Sequence, residues 1–132
     1  MRRRWLRRSG AAVVCAAVGL GAAFAQAPGF TRTELQRADL GVPGREVVVV
    51  RVDFAPGGSV GRHTHFGDEV AYVLDGSLVL EVEGKAPRVL HAGEVAFIPA
   101  GTVHAAHTEA GPAHLLASYI VEKGKPLAAP AK

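Results

Sequence analysis

The chain has 132 residues, is 48% apolar, carries fifteen Lys or Arg against twelve Asp or Glu, and has one cysteine. Five of the basic residues and none of the acidic ones lie before Gln26, so the formal charge of +3 belongs to the start of the chain. The remainder has a net charge of about −2, no basic patch and little aromatic interleaving, which leaves nucleic-acid binding without support, and a lone Cys15 excludes a disulfide framework.

Met1 to Ala25 reads as a secretory signal peptide: a basic n-region, the Ala/Val/Gly-rich run Ala11–Ala25, and the small-x-small ending Ala23-Phe24-Ala25, with cleavage before Gln26. The run is too short and too poor in large apolar residues for a stable membrane span. Arg2-Arg3-Arg4-Trp5-Leu6-Arg7 is also similar to a twin-arginine signal, which exports proteins already folded. The expectation is a bacterial protein exported to the periplasm or beyond. Cys15 leaves with the signal, so packing and a metal ion are the staples open to the mature chain.

About 107 residues then remain, enough for one modest core. Thr31–Leu40 reads as an edge strand, and Val42-Pro43-Gly44 as a turn. In Glu46–Phe54, Val48, Val50, Val52 and Phe54 share one face, the mark of a strand lining an interior. Glu69–Leu74 and Ser77–Glu83 flank Asp75-Gly76, a dipeptide that favours a type I′ hairpin turn. Arg88–His91, Val95–Ile98 and His114–Glu122 complete a run of short strands separated by Gly and Pro turns, and no helical period intervenes. That pattern predicts an all-β sandwich or barrel, one domain over residues 26–122. The last ten residues, 123–132, lack an apolar period and read as a mobile tail.

Two stretches carry the chemistry. Gly57–Gly76 places His63, His65 and Glu69 within seven residues. In an extended strand His63 and His65 point the same way, and a bend at Phe66–Asp68 lets Glu69 turn back toward them. Two imidazoles and a carboxylate are a common ligand set for a divalent transition metal. Gly93–Thr108 offers a further ligand, His104, just after the turn Pro99-Ala100-Gly101.

At these residues the chain resembles the cupin family. Gly57, His63, His65, Glu69 and Gly76 match its first motif, G-x5-H-x-H-x3-E-x6-G, without a gap. Gly93, Pro99, Gly101 and His104 match the second, G-x5-P-x-G-x2-H-x3-N, except that Thr108 stands where the family often has Asn. The resemblance implies a cupin jelly-roll barrel and a His63/His65/Glu69/His104 metal site. It does not settle the reaction, because the superfamily includes dioxygenases, isomerases, decarboxylases and non-catalytic binding domains.

Three imidazoles and one carboxylate leave coordination positions for a small ligand and suit iron, manganese, nickel, copper or zinc alike. The cavity expected from strand parity is walled by Val, Leu, Phe and Ala, which suits a small organic ligand rather than a phosphorylated sugar. One expectation is a dioxygenase-like enzyme in which Glu69 doubles as general base. The other is a non-catalytic metal- or ligand-binding module, or an ion that only pins the two motifs together. Parity puts no second carboxylate, Lys or Tyr clearly beside Glu69, and an inward-facing acid or base would decide between the readings. Thr108 reads as a hydroxyl satisfying nearby backbone, and His91, His107 and His114 as surface residues. Tyr72, Leu74 and Val70 face away from Glu69 and form an apolar patch, from which a homodimer is expected.

Overall fold

The computed structural model describes residues 29–132, so the signal-peptide reading lies outside the described residues. Nine strands follow one another with no helix among the described residues: β1 Phe30–Asp39, β2 Arg45–Phe54, β3 Ser59–Thr64, β4 Gly67–Val82, β5 Arg88–His91, β6 Val95–Ile98, β7 His104–His107, β8 Ala113–Glu122 and β9 Ala129–Pro130. All pair antiparallel. One sheet runs β1-β2-β8-β4-β6, the other β5-β4-β7-β3-β9, and together they curl into the expected jelly-roll barrel.

The period-two pattern of β2 fixes the core. Val48, Val50, Val52 and Phe54 are all buried, and Phe54 meets Phe30 of the opposing β1 with ring centroids 5.0 Å apart. Strand β8 contributes Leu115, Ala117, Tyr119 and Val121, and β4 contributes Ala71, Val73, Leu78 and Leu80. Glu46 takes the first inward position of β2 and is buried, but Arg37 on β1 bonds its carboxylate, which keeps the buried charge paired.

Asp75-Gly76 does not turn a hairpin. Strand β4 runs through it, pairing with β8 up to Gly76 and with β5 and β7 from Ser77 onward, so the same strand belongs to both sheets. The register slips between Val73 and Asp75, and Gly76 has φ +76. A side chain there would meet the Pro112 carbonyl oxygen at 2.1 Å. The left-handed backbone and close approach that Gly76 permits serve a sheet-to-sheet bend rather than the expected type I′ reversal.

The tail also departs from expectation. Ala129 and Pro130 pair with Thr64 and His63, Ala128 is buried, and Ala131 N–H donates to the Arg62 carbonyl at 3.0 Å. These contacts are backbone hydrogen bonds and two apolar side chains, Ala128 and the partly buried Leu127, which leave no periodic signal in sequence.

Thr108 takes the backbone role expected of it. Its buried hydroxyl donates to the Ala55 carbonyl at 2.6 Å and accepts from Gly58 N–H at 3.1 Å, holding the turn that leads into β3. Thr108→Val removes both side-chain bonds and leaves the turn with the Gly58 N–H to Ala55 carbonyl bond alone, and thermal or urea denaturation should show a loss of about 0.5–1.5 kcal/mol. A loss within experimental error would mean the turn is held by other contacts.

Candidate metal centre

The two sheets bring the four candidate ligands to one wall of the barrel interior. His63 lies directly opposite His104 across the β3–β7 pair, and their ring centroids are 4.2 Å apart. His65 follows just after β3, with its centroid 4.9 Å from that of His63 and 5.2 Å from that of His104. A ring nitrogen from each of the three lies within 4.8 Å of the others, a group able to hold a metal ion. Glu69, on the inward face of β4, sends Oε2 to 3.1 Å from His65 Nε2 and 3.2 Å from His104 Nε2.

The loop before His104 is built for this placement. Thr102 N–H donates to the Pro99 carbonyl with Gly101 at φ +73, and Gly101 N–H donates to the His65 carbonyl at 3.0 Å. Asp68 Oδ1 accepts from Ala100 N–H at 2.9 Å, which ties this loop to β4. The turn therefore joins both ligand segments before any ion is bound.

Hydrogen bonding fixes the tautomers. Nδ1 of His63 contacts the Gly61 carbonyl at 2.7 Å, Nδ1 of His65 the Leu127 carbonyl at 2.6 Å, and Nδ1 of His104 the Thr102 carbonyl at 2.9 Å. A carbonyl only accepts, so each ring carries its proton on Nδ1 and, when neutral, presents a lone pair at Nε2. His65 Nε2 and Glu69 Oε2, both buried, are close to one another yet lack a directed hydrogen bond. Converging lone pairs in a buried site call for a cation between them. Imidazole nitrogens with one carboxylate suit a first-row transition metal.

The titration behaviour follows from this crowding. Burial, then the neighbouring His104, lowers His63 to about 4. Burial alone would raise the Glu69 carboxyl, but the His104 and His65 imidazoles outweigh it and hold Glu69 at about 2. Burial works to lower His104, and the Glu69 carboxylate beside it overcomes this and leaves it raised. The carboxylate is thus ionised at neutral pH and ready to ligate.

These shifts predict the acid response of the metal-free protein. His63 titrates near 4 when folded against 6.5 when free, so between those values the unfolded chain binds more protons and stability falls as pH drops. The stability His104 adds is complete below 6.5, and Glu69 begins to lose its share only below 4.5, so neither masks the His63 loss. Urea midpoints should decline from about pH 6.5 to about pH 4.5; midpoints that stay flat or rise would contradict the His63 assignment.

One side chain beside the centre was missed from sequence. Tyr119 lies directly opposite Glu69 in the β4–β8 pair, is buried, and stacks near His65 with centroids 4.6 Å apart. Burial, then the Glu69 charge, raises its phenol well above 10, so it remains a proton donor. Leu116 and Ile120 on the outer face of β8 blurred the parity that would have placed Tyr119 inside. His107, near Glu81, and the exposed His91 stay outside the site, as does His114, half-buried and bonded to Asp53 at 2.6 Å.

A cupin domain family model matches residues 50–119, a span that contains all four candidate ligands. The chain belongs to the cupin family. It is 45% identical over 65 residues to the beta-alanine degradation protein BauB of Pseudomonas aeruginosa, covering 48% of this chain and 68% of that protein. A cupin superfamily protein of Desulfitobacterium hafniense superposes with a TM-score of 0.62 over 74% of this chain and 83% of its own at 23% identity, a likeness of fold alone. Oxalate oxidase in complex with the substrate analogue glycolate superposes at 0.61 with 29% identity, over 76% of this chain and 54% of that one. The chain therefore spans about half the length of the oxidase.

Proposed function

We propose that this protein is a metal-dependent, dioxygenase-like enzyme acting on a small organic acid, with His63, His65, His104 and Glu69 as metal ligands. The observation that carries the reading is the convergence of three Nε2 lone pairs, their tautomers set by backbone carbonyls, on an ionised carboxylate beside a cavity. An ion bound there supplies Lewis-acid or redox chemistry at its open positions. Tyr119 is the inward-facing acid whose absence would have favoured a non-catalytic binding module. Held protonated beside Glu69, it can donate to a substrate oxygen, while the apolar wall of Leu78, Leu80 and Ile98 excludes water. A relative named for beta-alanine degradation and a fold neighbour bound to glycolate both favour small carboxylic acids as the substrate class.

The test is an oxygen-uptake screen of protein loaded in turn with iron, manganese, nickel or copper, against small carboxylic acids, phenols and diketones. Turnover that Tyr119→Phe lowers about 10²–10⁴-fold, with metal content unchanged, is the expected result. Tight ligand binding without turnover by any metal form would establish the alternative, a periplasmic binding module.

Export and self-association belong to the same proposal. Mass spectrometry of protein from the native host should find Gln26 as the first residue, and an intact Met1–Ala25 segment would contradict export by a cleaved signal. On the outside of the β4–β6 pair, Val70 lies opposite Phe97 and Tyr72 opposite Val95, and Tyr72, Leu74, Val95 and Phe97 are exposed. A second copy packed on this face gives a homodimer. Light scattering should report twice the chain mass, falling to one chain in Phe97→Glu; a wild-type monomer would remove the claim.

A further inference from the structure

His63, Glu69 and His104 line one cavity of about 50 Å³. Glu69 pairs with Ile98 on one side and Tyr119 on the other. The next inward position of each of these strands is alanine, so that Ala71 lies directly between Ala96 and Ala117. In the facing sheet Ala106, two residues beyond His104, lies between Leu80 and Val60. All four alanines are buried and line the cavity. One further inward step restores bulk, with Leu115 against Val52 in the first sheet and Leu78 against Leu90 in the second. Two residues of strand span about 7 Å, so large side chains close the space about that far beyond the alanines. The lining is buried except at Arg32, Val60 and His63, so the cavity is reached from the side of β1 and β3.

We propose that Ala71, Ala96, Ala106 and Ala117 are the specificity-determining residues of this centre, and that they limit its substrate to an acid of about two carbon atoms. This rests on the metal-centre reading and adds to it the size of the molecule accepted. A water needs roughly 10–15 Å³ of such space, so the cavity holds about three to five non-hydrogen atoms, the size of glycolate. A cavity in a close-packed core forfeits contacts that larger side chains would make. Here the space abuts Glu69, which is 7% exposed and whose Oε2 has no hydrogen-bond partner. Open space and an unsatisfied carboxylate at one place fit an ion with a small molecule held against it. The ion supplies affinity for a carboxylate and its neighbouring oxygen, and the alanines set the limit on what else that acid carries. An apolar wall with room to spare rewards each added CH2 about 4-fold through burial. A wall that closes after the second carbon reverses the sign, because each added group must push Leu78, Leu80 or Leu115 out of close packing.

The test uses protein loaded with manganese and a series of α-hydroxy acids that share one chelating head: glycolate, lactate and 2-hydroxybutyrate. Calorimetry should rank them in that order, with glycolate at least about 10-fold tighter than 2-hydroxybutyrate. Equal affinities, affinities that rise with length by about 4-fold per CH2, or loaded protein that binds none of the three would overturn the assignment. Ala117→Val, which fills part of the space, should weaken glycolate at least about 10-fold with manganese content unchanged; undiminished glycolate affinity would also overturn it. Leu80→Ala, which widens the space, should bring 2-hydroxybutyrate to within about 2-fold of glycolate. The wild-type series needs no substitution and decides the matter where a core variant does not fold. A wild type that takes up no manganese, nor any other first-row metal, would overturn the metal centre itself. Metal content measured on the same samples separates that failure from a flat series in loaded protein.

Discussion

His104→Ala should lower affinity for any first-row divalent metal by at least about 100-fold, since loss of a mere supporting partner already costs 10–100-fold. His104 is the ligand that joins the two motifs: it pairs with His63 across β3–β7, lies 3.2 Å from Glu69, and enters behind the Pro99–Thr102 turn. Without it, only His63, His65 and Glu69 of the first motif remain, and β7 contributes nothing to the ion. The substitution also leaves the buried Glu69 carboxylate with His65 as its one close imidazole, so the metal-free variant should lose about 3 kcal/mol of stability as well. Chelator competition reads the first effect and urea denaturation the second. Unchanged affinity would mean that the ion, if bound, sits elsewhere.

Deleting Leu127–Lys132 is the second large expected effect, and it distinguishes a working tail from an ornamental one. The segment supplies the carbonyl that fixes the His65 tautomer at 2.6 Å, buries Ala128, and pairs Ala129–Pro130 with the first ligand strand at His63–Thr64. Removing the carbonyl frees the His65 ring to rotate and to move its proton to Nε2, where it opposes metal binding. Affinity should fall about 10–100-fold, and restoring the tail with Leu127→Ala should recover it, because the bond uses the backbone and not the side chain. A truncated protein with undiminished affinity would reduce the tail to a passive edge strand.

That tail marks the boundary of what the sequence disclosed. Side-chain patterns were legible: the alternation of Val48, Val50, Val52 and Phe54 located the core face, and the spacing of His63, His65, Glu69 and His104 brought together four groups that the fold does place side by side. Thr108 was legible because a hydroxyl among turns has few other uses. Features carried by the backbone were not. Leu127 acts through its carbonyl, and Asp75-Gly76 has the same local preference whether the chain reverses or bends between sheets. Tyr119 was hidden because Leu116 and Ile120 on the outer face of β8 blurred the parity there. It became visible only when register set it opposite Glu69.

The central claim is that four side chains form a site for one transition-metal ion, and elemental analysis of the mature protein tests it most directly. Protein taken from its native host, beside His63→Ala/His104→Ala, should carry about one equivalent of iron, manganese, nickel, copper or zinc per chain, absent from the double variant. A wild type that carries no metal, and takes up none when offered each of these ions near neutral pH, would contradict it.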